Sequence, residues 1–194
     1  AVPAEAETAK EGQWIDGPKT DFFDTVNRTF KNPKIIAEDL GIIDEGVIDL
    51  LEKTALPCMR VMQFGFMEQQ DNMHLPHNYP KNCVAYTGTH DNNTVLGWLW
   101  EALPHERAHA LEYCGFPGGS DSASCRAMIR TLWQSPANTA IVPVQDLCGF
   151  GKDTKMNVPG VPNGNWAFRL SEDQMNGIDR DWLKKLNQIY YRAK

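Results

Sequence analysis

Four short hydrophobic runs along the chain each end at polar or acidic residues. They cover 34–37 before Glu38 and Asp39, 59–66 with Gln63 inside it, 83–86 before His90 and Asp91, and 139–144 before Gln145 and Asp146. Strands that are apolar on both faces belong to sheets covered by helices, so the runs predict four buried parallel strands. The fold class is therefore predicted to be α/β.

The segments between these runs carry helical periodicity and helix-capping signals. The predicted helices cover 20–31, 45–56, 93–103, 104–114, a segment opening at Asp121, and one that runs through 182–190. Asp44 is in position to cap the second of them before Pro57 ends it, and Pro104 suits a first helical turn. Ser171 and Gln174 form a capping box ahead of the last helix. Strands and helices thus alternate along the chain.

Polar residues at the C-terminal ends of parallel strands are typical of two folds, the (β/α)8 barrel and the doubly wound sheet, which carry their chemistry at that edge. A full barrel has eight strands and about 250 residues. With 194 residues, the chain is predicted to form either an open sheet or half of a larger fold. The connections at 67–82 and 149–165 exceed ordinary loop lengths, so they are predicted to shape a site.

Composition and charge exclude several kinds of partner. The chain has 19 Lys and Arg residues against 25 Asp and Glu, a net charge of -6 and no dense basic run, which argues against nucleic acid as a partner. No apolar stretch reaches the roughly 20 residues of a membrane span, and the first residues lack the pattern of a secretory signal. The five cysteines are widely spaced without a C-x-x-C pair, which favours a reducing, cytoplasmic location.

Two acidic clusters are the strongest candidates for chemistry. Glu38 and Asp39 follow one predicted strand, and His90, Asp91 and Asn92 follow another. Carboxyl groups that converge from two strand ends provide what glycosyl transfer needs, a proton donor for the leaving oxygen and negative charge beside the oxocarbenium-like centre. The alternative is that these side chains only cap helices or loops, as Asp and Asn often do.

Aromatic side chains near the same strand ends and loops fit a sugar site, because flat sugar faces pack on aromatic rings. They are Phe64, Phe66, Tyr79, Trp98, Trp100, Trp166 and Phe168. Packing in the core is the competing interpretation for each of them. For Trp98 and Trp100, which fall on a predicted helix, packing is the preferred one.

The segment H-E-R-A-H at 105–109 matches the H-E-x-x-H pattern of zinc hydrolases, in which two histidines one turn apart bind zinc and the glutamate activates water. On a helical wheel, His105, His109 and Glu112 form one stripe opposite the apolar residues, which predicts that both histidines face solvent. No convincing third ligand accompanies them. A zinc hydrolase using His105, Glu106 and His109 is kept only as an alternative, and no metal site is predicted.

Five longer motifs follow one another along almost the whole chain. They are I-A-E-D-L-G at 36–41, L-P-H-N-Y-P at 75–80, Y-T-G-T-H-D-N at 86–92, P-V-Q-D-L at 143–147, and M-N-V-P-G followed by G-N-W-A-F-R within 156–169. In this order they resemble the amylomaltases or disproportionating enzymes, the 4-α-glucanotransferases of glycoside hydrolase family 77.

The resemblance implies a fold and a set of residue roles. The fold would be a (β/α)8 barrel, of which this chain is roughly the C-terminal half with strands five to eight. Glu38 would be the general acid/base, and Asp91 the carboxylate that stabilises the transition state by binding sugar hydroxyls. The residues implied for substrate binding or its support are His90, Asp39, Asn92 and, on the acceptor side, Phe64.

The resemblance also implies maltooligosaccharides and other α-1,4-glucans as substrates, a retaining double displacement, and no metal or organic cofactor. The family's nucleophile motif, R-x-D-H-F-R-G-F, has no counterpart in these 194 residues. We therefore expect 1–194 to be a partial barrel domain without the N-terminal half and the nucleophile, inactive alone, and pairing with the missing half or with itself. A glucan-binding or assembly fragment without catalytic function is the alternative.

Overall fold

The computed structural model describes residues 1–41, 43–67, 71–116 and 118–192. The chain divides into two units, Ala1–Pro57 and the residues from Cys58 onward. Within the described ranges, no helix is long and apolar enough to cross a membrane.

The first unit holds helices α1 (Thr20–Thr29) and α2 (Glu45–Thr54) and a short 3-10 helix at Ala9–Glu11. Helix α2 begins as predicted, because Oδ1 of Asp44 accepts a hydrogen bond from the backbone N–H of Val47 at 2.9 Å. This bond satisfies one of the donors that a helix start leaves open. The helix ends at Ala55, whose φ of 50° is left-handed. The predicted cap and the predicted end before Pro57 are confirmed.

Side-chain exposure alternates from residue to residue along 34–39, as it does in an extended segment, but 34–37 form no strand in the described part of this unit. The prediction of a strand there is therefore wrong. The backbone N–H of Ala37 does donate to the carbonyl oxygen of Pro57 at 2.9 Å. Prolines stand at both sides of this contact, Pro33 before the run and Pro57 as the acceptor, and a proline has no N–H to add to a ladder. The segment therefore keeps an extended shape without regular pairing.

The second unit is built on a parallel sheet with the strand order β1 (Cys58–Val61), β2 (Cys83–Tyr86) and β3 (Thr139–Ile141). Val61 lies beside Tyr86, and Tyr86 lies beside Ile141. All three strands therefore end at the same edge of the sheet. The α/β class and the parallel arrangement of these strands are confirmed.

Helices follow the strands in chain order. They are α3 (Val95–Glu101), α4 (Pro104–Tyr113), α5 (Asp121–Gln134), α6 (Val144–Cys148), α7 (Glu172–Asn176) and α8 (Arg180–Ile189), with 3-10 segments at Met62–Phe66, Pro76–Asn78 and Lys152–Thr154. Pro104 occupies the first turn of α4, as predicted. The capping box of Ser171 and Gln174 is present, but its helix stops at Gly177 and Asp179 caps α8 separately. The single helix predicted for this region is thus two.

Two strands are shorter than predicted because helical turns begin early. After β1 the chain turns into the 3-10 segment Met62–Phe66, which carries Gln63. After β3, the carbonyl oxygen of Pro143 accepts hydrogen bonds from the backbone N–H groups of Asp146 and Leu147, at 3.0 and 3.3 Å. These bonds start α6, so Asp146 lies on a helix.

The core of the second unit lies between the sheet and helices α3, α4 and α5. The predicted inward face of α5 is confirmed, since it buries Cys125, Met128, Ile129 and Leu132. Trp98 is buried as predicted, whereas Trp100 is exposed and its Nε1 donates to Asp121 at 3.3 Å. The prediction that Trp100 packs in the core is therefore wrong, because a hydrogen bond holds its ring at the surface.

Gly65 marks a close approach of two backbone segments. A Cβ at this position would lie 2.8 Å from the carbonyl oxygen of His74. We expect Gly65→Ala to lower the free energy of unfolding by about 1–3 kcal/mol, because the backbone must move to make room. Urea unfolding measures the loss. Gly177→Ala is the matched control, since its Cβ would meet backbone oxygens at 3.4 Å; equal stabilities of the two variants would contradict the prediction.

Candidate active site

The loop at 87–94 follows β2 and lies at the edge where the three strands end. It carries the predicted site residues His90, Asp91 and Asn92. Oδ1 of Asn92 accepts hydrogen bonds from the backbone N–H and the hydroxyl of Thr89, both at 2.8 Å. These bonds close the loop into a turn. The side chains of His90 and Asp91 are left about half exposed, at 52% and 46%.

A segment of the long connection at 149–165 holds the tip of this loop. The backbone N–H of Asn157 donates to the carbonyl oxygen of His90 at 3.1 Å, and its Nδ2 donates to Oδ1 of Asp91. Nε2 of His90 lies 3.4 Å from the same carboxylate oxygen. The long connection therefore contacts the predicted site residues, and its role in shaping a site stays a prediction. Asn157 was given no role from the sequence, although it lies in the M-N-V-P-G motif.

Trp166 brings an aromatic ring to the same place. The ring centroids of His90 and Trp166 are 5.1 Å apart, with the planes inclined by 40°. The backbone of Trp166 has a left-handed φ of 60°, and its N–H donates to the carbonyl oxygen of Met156 at 2.6 Å. Such a conformation costs of order 1–3 kcal/mol in a residue other than glycine and persists only where its surroundings impose it. A half-exposed ring beside a carboxylate is suited to packing against a sugar face.

A cavity of about 120 Å³ opens beside the loop. Its lining includes His90 and Asn92 from the loop, Gln145 from α6, and Lys155 and Met156 from the long connection. Residues from three separate parts of the chain thus surround one cavity.

Phe64 lies on the 3-10 segment that follows β1, the strand next to β2. Its ring meets the His74 ring edge-on, with centroids 5.3 Å apart. Nδ1 of His74 in turn accepts a hydrogen bond from the backbone N–H of Val61 at 3.2 Å. Phe64 is therefore a half-buried ring held at the same sheet edge as the loop.

A buried carboxylate lies at the base of the loop. Oδ2 of Asp146 accepts a hydrogen bond from the hydroxyl of Thr87 at 2.6 Å, and Oδ1 accepts one from the backbone N–H of Val95 at 2.7 Å. Asp146 is 2% exposed. Burial raises its pKa to about 6, although the two hydrogen bonds act in the opposite direction. Asp146 stood out in the sequence as a polar residue after a strand, but no role was assigned to it.

Glu38 and Asp39 lie in the first unit, on the extended segment that follows 34–37. Glu38 is exposed, whereas Asp39 is 4% exposed. Successive side chains of an extended segment point to opposite sides, which accounts for this difference. Glu38 is therefore open to a ligand, whereas Asp39 is almost wholly buried.

The H-E-x-x-H segment forms the start of α4. Oε2 of Glu106 accepts a hydrogen bond from the backbone N–H of Leu103 at 3.0 Å and so caps the helix. His105 is exposed as predicted, but the His109 ring packs edge-on against Phe66 with centroids 5.6 Å apart. The prediction that both histidines face solvent is wrong for His109, because an aromatic ring covers it. No group of three or more potential metal ligands occurs among the described residues.

The sequence model of the 4-alpha-glucanotransferase family, glycoside hydrolase family 77, matches residues 1–175. The chain therefore belongs to this family. The resemblance of its motifs to the amylomaltases is confirmed.

Curated relatives come from plants and bacteria. The chain is 40% identical to 4-alpha-glucanotransferase DPE1, chloroplastic/amyloplastic, of Arabidopsis thaliana, over 99% of this chain and 34% of that protein. It is 39% identical to the 4-alpha-glucanotransferase of Thermus thermophilus, over 90% of this chain and 36% of that one. The chain thus spans about a third of the length of the curated relatives that it matches.

Two solved structures share the fold. The amylomaltase from Streptococcus agalactiae in complex with acarbose matches with a TM-score of 0.92 and 33% identity, over 100% of this chain and 39% of that one. The amylomaltase from Corynebacterium glutamicum matches with a TM-score of 0.54 and 17% identity, over 81% of this chain, which is a likeness of fold alone. The parallel α/β fold is therefore that of an amylomaltase.

Asp146 should make the stability of the chain depend on pH. Its pKa is about 6 in the folded chain and near the ordinary value of 3.8 when unfolded. The folded state therefore binds the proton more tightly, and ionisation as the pH rises from about 4 to 6 removes about 2 kcal/mol of stability. An asparagine at this position does not titrate. We therefore expect the free energy of unfolding of Asp146→Asn, relative to that of the wild type, to rise by this amount between pH 4 and pH 6.

Urea unfolding at a series of pH values measures this difference. Asp181→Asn is the control, because it makes the same substitution at a side chain that is 95% exposed. A constant difference between Asp146→Asn and the wild type from pH 4 to pH 6.5 would mean that burial does not perturb Asp146.

Proposed function

We propose that this chain supplies the general acid/base and the transition-state-stabilising carboxylate of a 4-α-glucanotransferase, which moves α-1,4-glucan segments between maltooligosaccharides. The observation that carries the proposal is the loop at 87–94, where Asp91 and His90 are held by Asn157 and flanked by Trp166. A carboxylate, an imidazole and an aromatic ring at one half-exposed point are suited to binding a sugar ring. The type of reaction is inferred from the membership of the chain in the 4-alpha-glucanotransferase family.

The proposed reaction is a retaining double displacement. A carboxylate from outside these 194 residues attacks the anomeric carbon of the donor, and the bond from that carbon to the leaving 4-oxygen breaks as Glu38 gives its proton to this oxygen. In the second step, the 4-hydroxyl of an acceptor gives its proton back to Glu38 and forms the new bond to the anomeric carbon. The carboxylate leaves unchanged, and no cofactor takes part.

Asp91 is proposed to bind hydroxyl groups of the reacting sugar. The contacts from Asn157 and His90 both fall on Oδ1. We therefore assign Oδ2 as the oxygen that accepts a sugar hydroxyl. His90 is proposed to contact the same sugar, Asn92 to support the loop through Thr89, and Asp39 to support the segment that carries Glu38.

Phe64 is proposed to stack against the acceptor. An acceptor that covers the site would favour transfer over hydrolysis by keeping water away from the glycosyl intermediate. The complex of the Streptococcus agalactiae amylomaltase with acarbose supports a glucan-like ligand for this chain as well.

The proposal extends to the surroundings of the site. We assign the three strands to the C-terminal half of a (β/α)8 barrel, whose other half, or a second copy of this chain, would pair with the edge strands β1 and β3. We also propose a reducing, cytoplasmic environment, which the wide spacing of the cysteines supports.

Replacing Glu38 tests the acid/base role. In the full-length protein that carries this sequence, we expect Glu38→Gln to lower kcat for disproportionation of maltotriose by about 10²–10⁴-fold, because an amide cannot transfer the proton. Maltotriosyl fluoride needs no acid to expel fluoride, and azide needs no base to attack. The two together should therefore restore turnover in Glu38→Gln, as formation of maltotriosyl azide. Oligosaccharide chromatography follows both reactions.

The matched control is Glu52→Gln, which removes an exposed glutamate from α2 in the same unit. Its kcat should equal that of the wild type. Normal disproportionation by Glu38→Gln, or a loss that azide and the fluoride donor do not relieve, would remove Glu38 from the role.

Replacing Asp91 tests the sugar-binding carboxylate. Asp91→Asn keeps the size of the side chain but removes its charge, so we expect kcat for maltotriose to fall by about 10²–10³-fold. Asp181→Asn, an exposed aspartate in the first turn of α8, should leave kcat unchanged. If the Asp91→Asn variant stays within threefold of the wild type, the assignment of Asp91 is wrong.

A further inference from the structure

The two ends of the loop that carries His90 and Asp91 are hydrogen-bonded to one carboxylate, that of Asp146. Thr87, at its start, and Val95, at the start of α3, each donate a hydrogen bond to a different oxygen of Asp146. All three residues are buried, with exposures of 0%, 0% and 2%. The separation of the two loop ends is therefore fixed by the width of one carboxylate group.

A second contact restrains the loop from the opposite neighbouring strand. Nε2 of Gln63, on the segment after β1, donates to the carbonyl oxygen of Asn93 at 2.8 Å. Gln63 is 2% exposed, and a Cβ on Gly88 would lie 2.7 Å from its Nε2. The loop backbone thus fits closely against the Gln63 amide on one side, while Asp146, which follows β3, binds it on the other.

We propose that Asp146 and Thr87 are positioning residues for Asp91 and His90, and that their hydrogen bond sets how these two side chains meet the sugar. The inference rests on the proposed function. Neither residue touches the substrate. Both act through the loop, because a shift of either loop end moves the tip where Asp91 lies.

The position of a transition-state-binding group matters more to kcat than to substrate affinity. A misplacement of about 1 Å at a reacting centre can lower the rate by about 10²-fold. Ground-state binding is shared with contacts outside the loop, such as the acceptor stacking proposed for Phe64. Loosening the loop should therefore lower kcat while KM changes little.

Thr87→Val and Thr87→Ser are the variants that separate positioning from packing. Valine matches threonine in shape but cannot donate to Asp146, whereas serine keeps the hydroxyl. In the full-length protein, we expect Thr87→Val to lower kcat for maltotriose by about 10–10²-fold with KM within about threefold. Thr87→Ser should stay within about threefold of the wild type in both constants.

Thr131→Val is the matched control for loss of a buried threonine hydroxyl. Thr131 is 8% exposed, and its hydroxyl donates to the carbonyl oxygen of Ala127 within α5. We expect this variant to lose stability but to keep kcat. A fall of kcat in Thr87→Val no larger than in Thr131→Val would overturn the proposal.

Hydrogen exchange of the peptide spanning 87–95 gives a readout that does not depend on activity. Thr87→Val should speed exchange in this peptide and Thr131→Val should not; unchanged exchange in Thr87→Val overturns the positioning role. Measuring the activity of Glu38→Gln with maltotriose separates the two proposals. Loss of activity in Glu38→Gln with a normal kcat in Thr87→Val refutes positioning alone, whereas full activity in Glu38→Gln refutes the acid/base assignment and leaves the exchange result to decide positioning.

Discussion

The candidate site depends on the two hydrogen bonds that the buried carboxylate of Asp146 accepts. Burying a charged or polar group without partners costs several kcal/mol, so the oxygens of Asp146 bind the Thr87 hydroxyl and the Val95 N–H strongly. Hydrogen bonds are directional, whereas apolar contacts tolerate sliding. One buried group from α6 thereby holds both ends of the loop that carries His90 and Asp91, and the raised pKa of Asp146 reflects the same burial.

The parallel sheet explains why groups from distant parts of the sequence meet at this point. Because β1, β2 and β3 end at one edge, the segments that follow them are neighbours. Gln63 follows β1, the loop at 87–94 follows β2, and Asp146 follows β3. Each strand end contributes one element, and the loop in the middle is held from both sides. Chemistry at the carboxyl edge of a parallel sheet follows from this arrangement.

Local features of the fold could be predicted from the sequence, and several long-range ones could not. The caps of Asp44 and Ser171, and the helix start at Pro104, depend on residues within four positions of each other. The extended segment 34–37 has the composition of a strand, but strand formation depends on a partner elsewhere in the chain. The partial burial of His109 depends on Phe66, some forty residues away, which no helical wheel includes.

The sequence by itself determined the family, the alternation of strands and helices, and the cluster of His90, Asp91 and Asn92 after a strand. Those properties depend on residue types and on short distances along the sequence, both of which can be read directly from it. Only the tertiary structure decided that Asn157 holds Asp91 and that Asp146 joins the two ends of the loop. These contacts span 51 to 66 positions of sequence. Packing of the sheet and its helices brings such residues together, and no local pattern of residues encodes their distance.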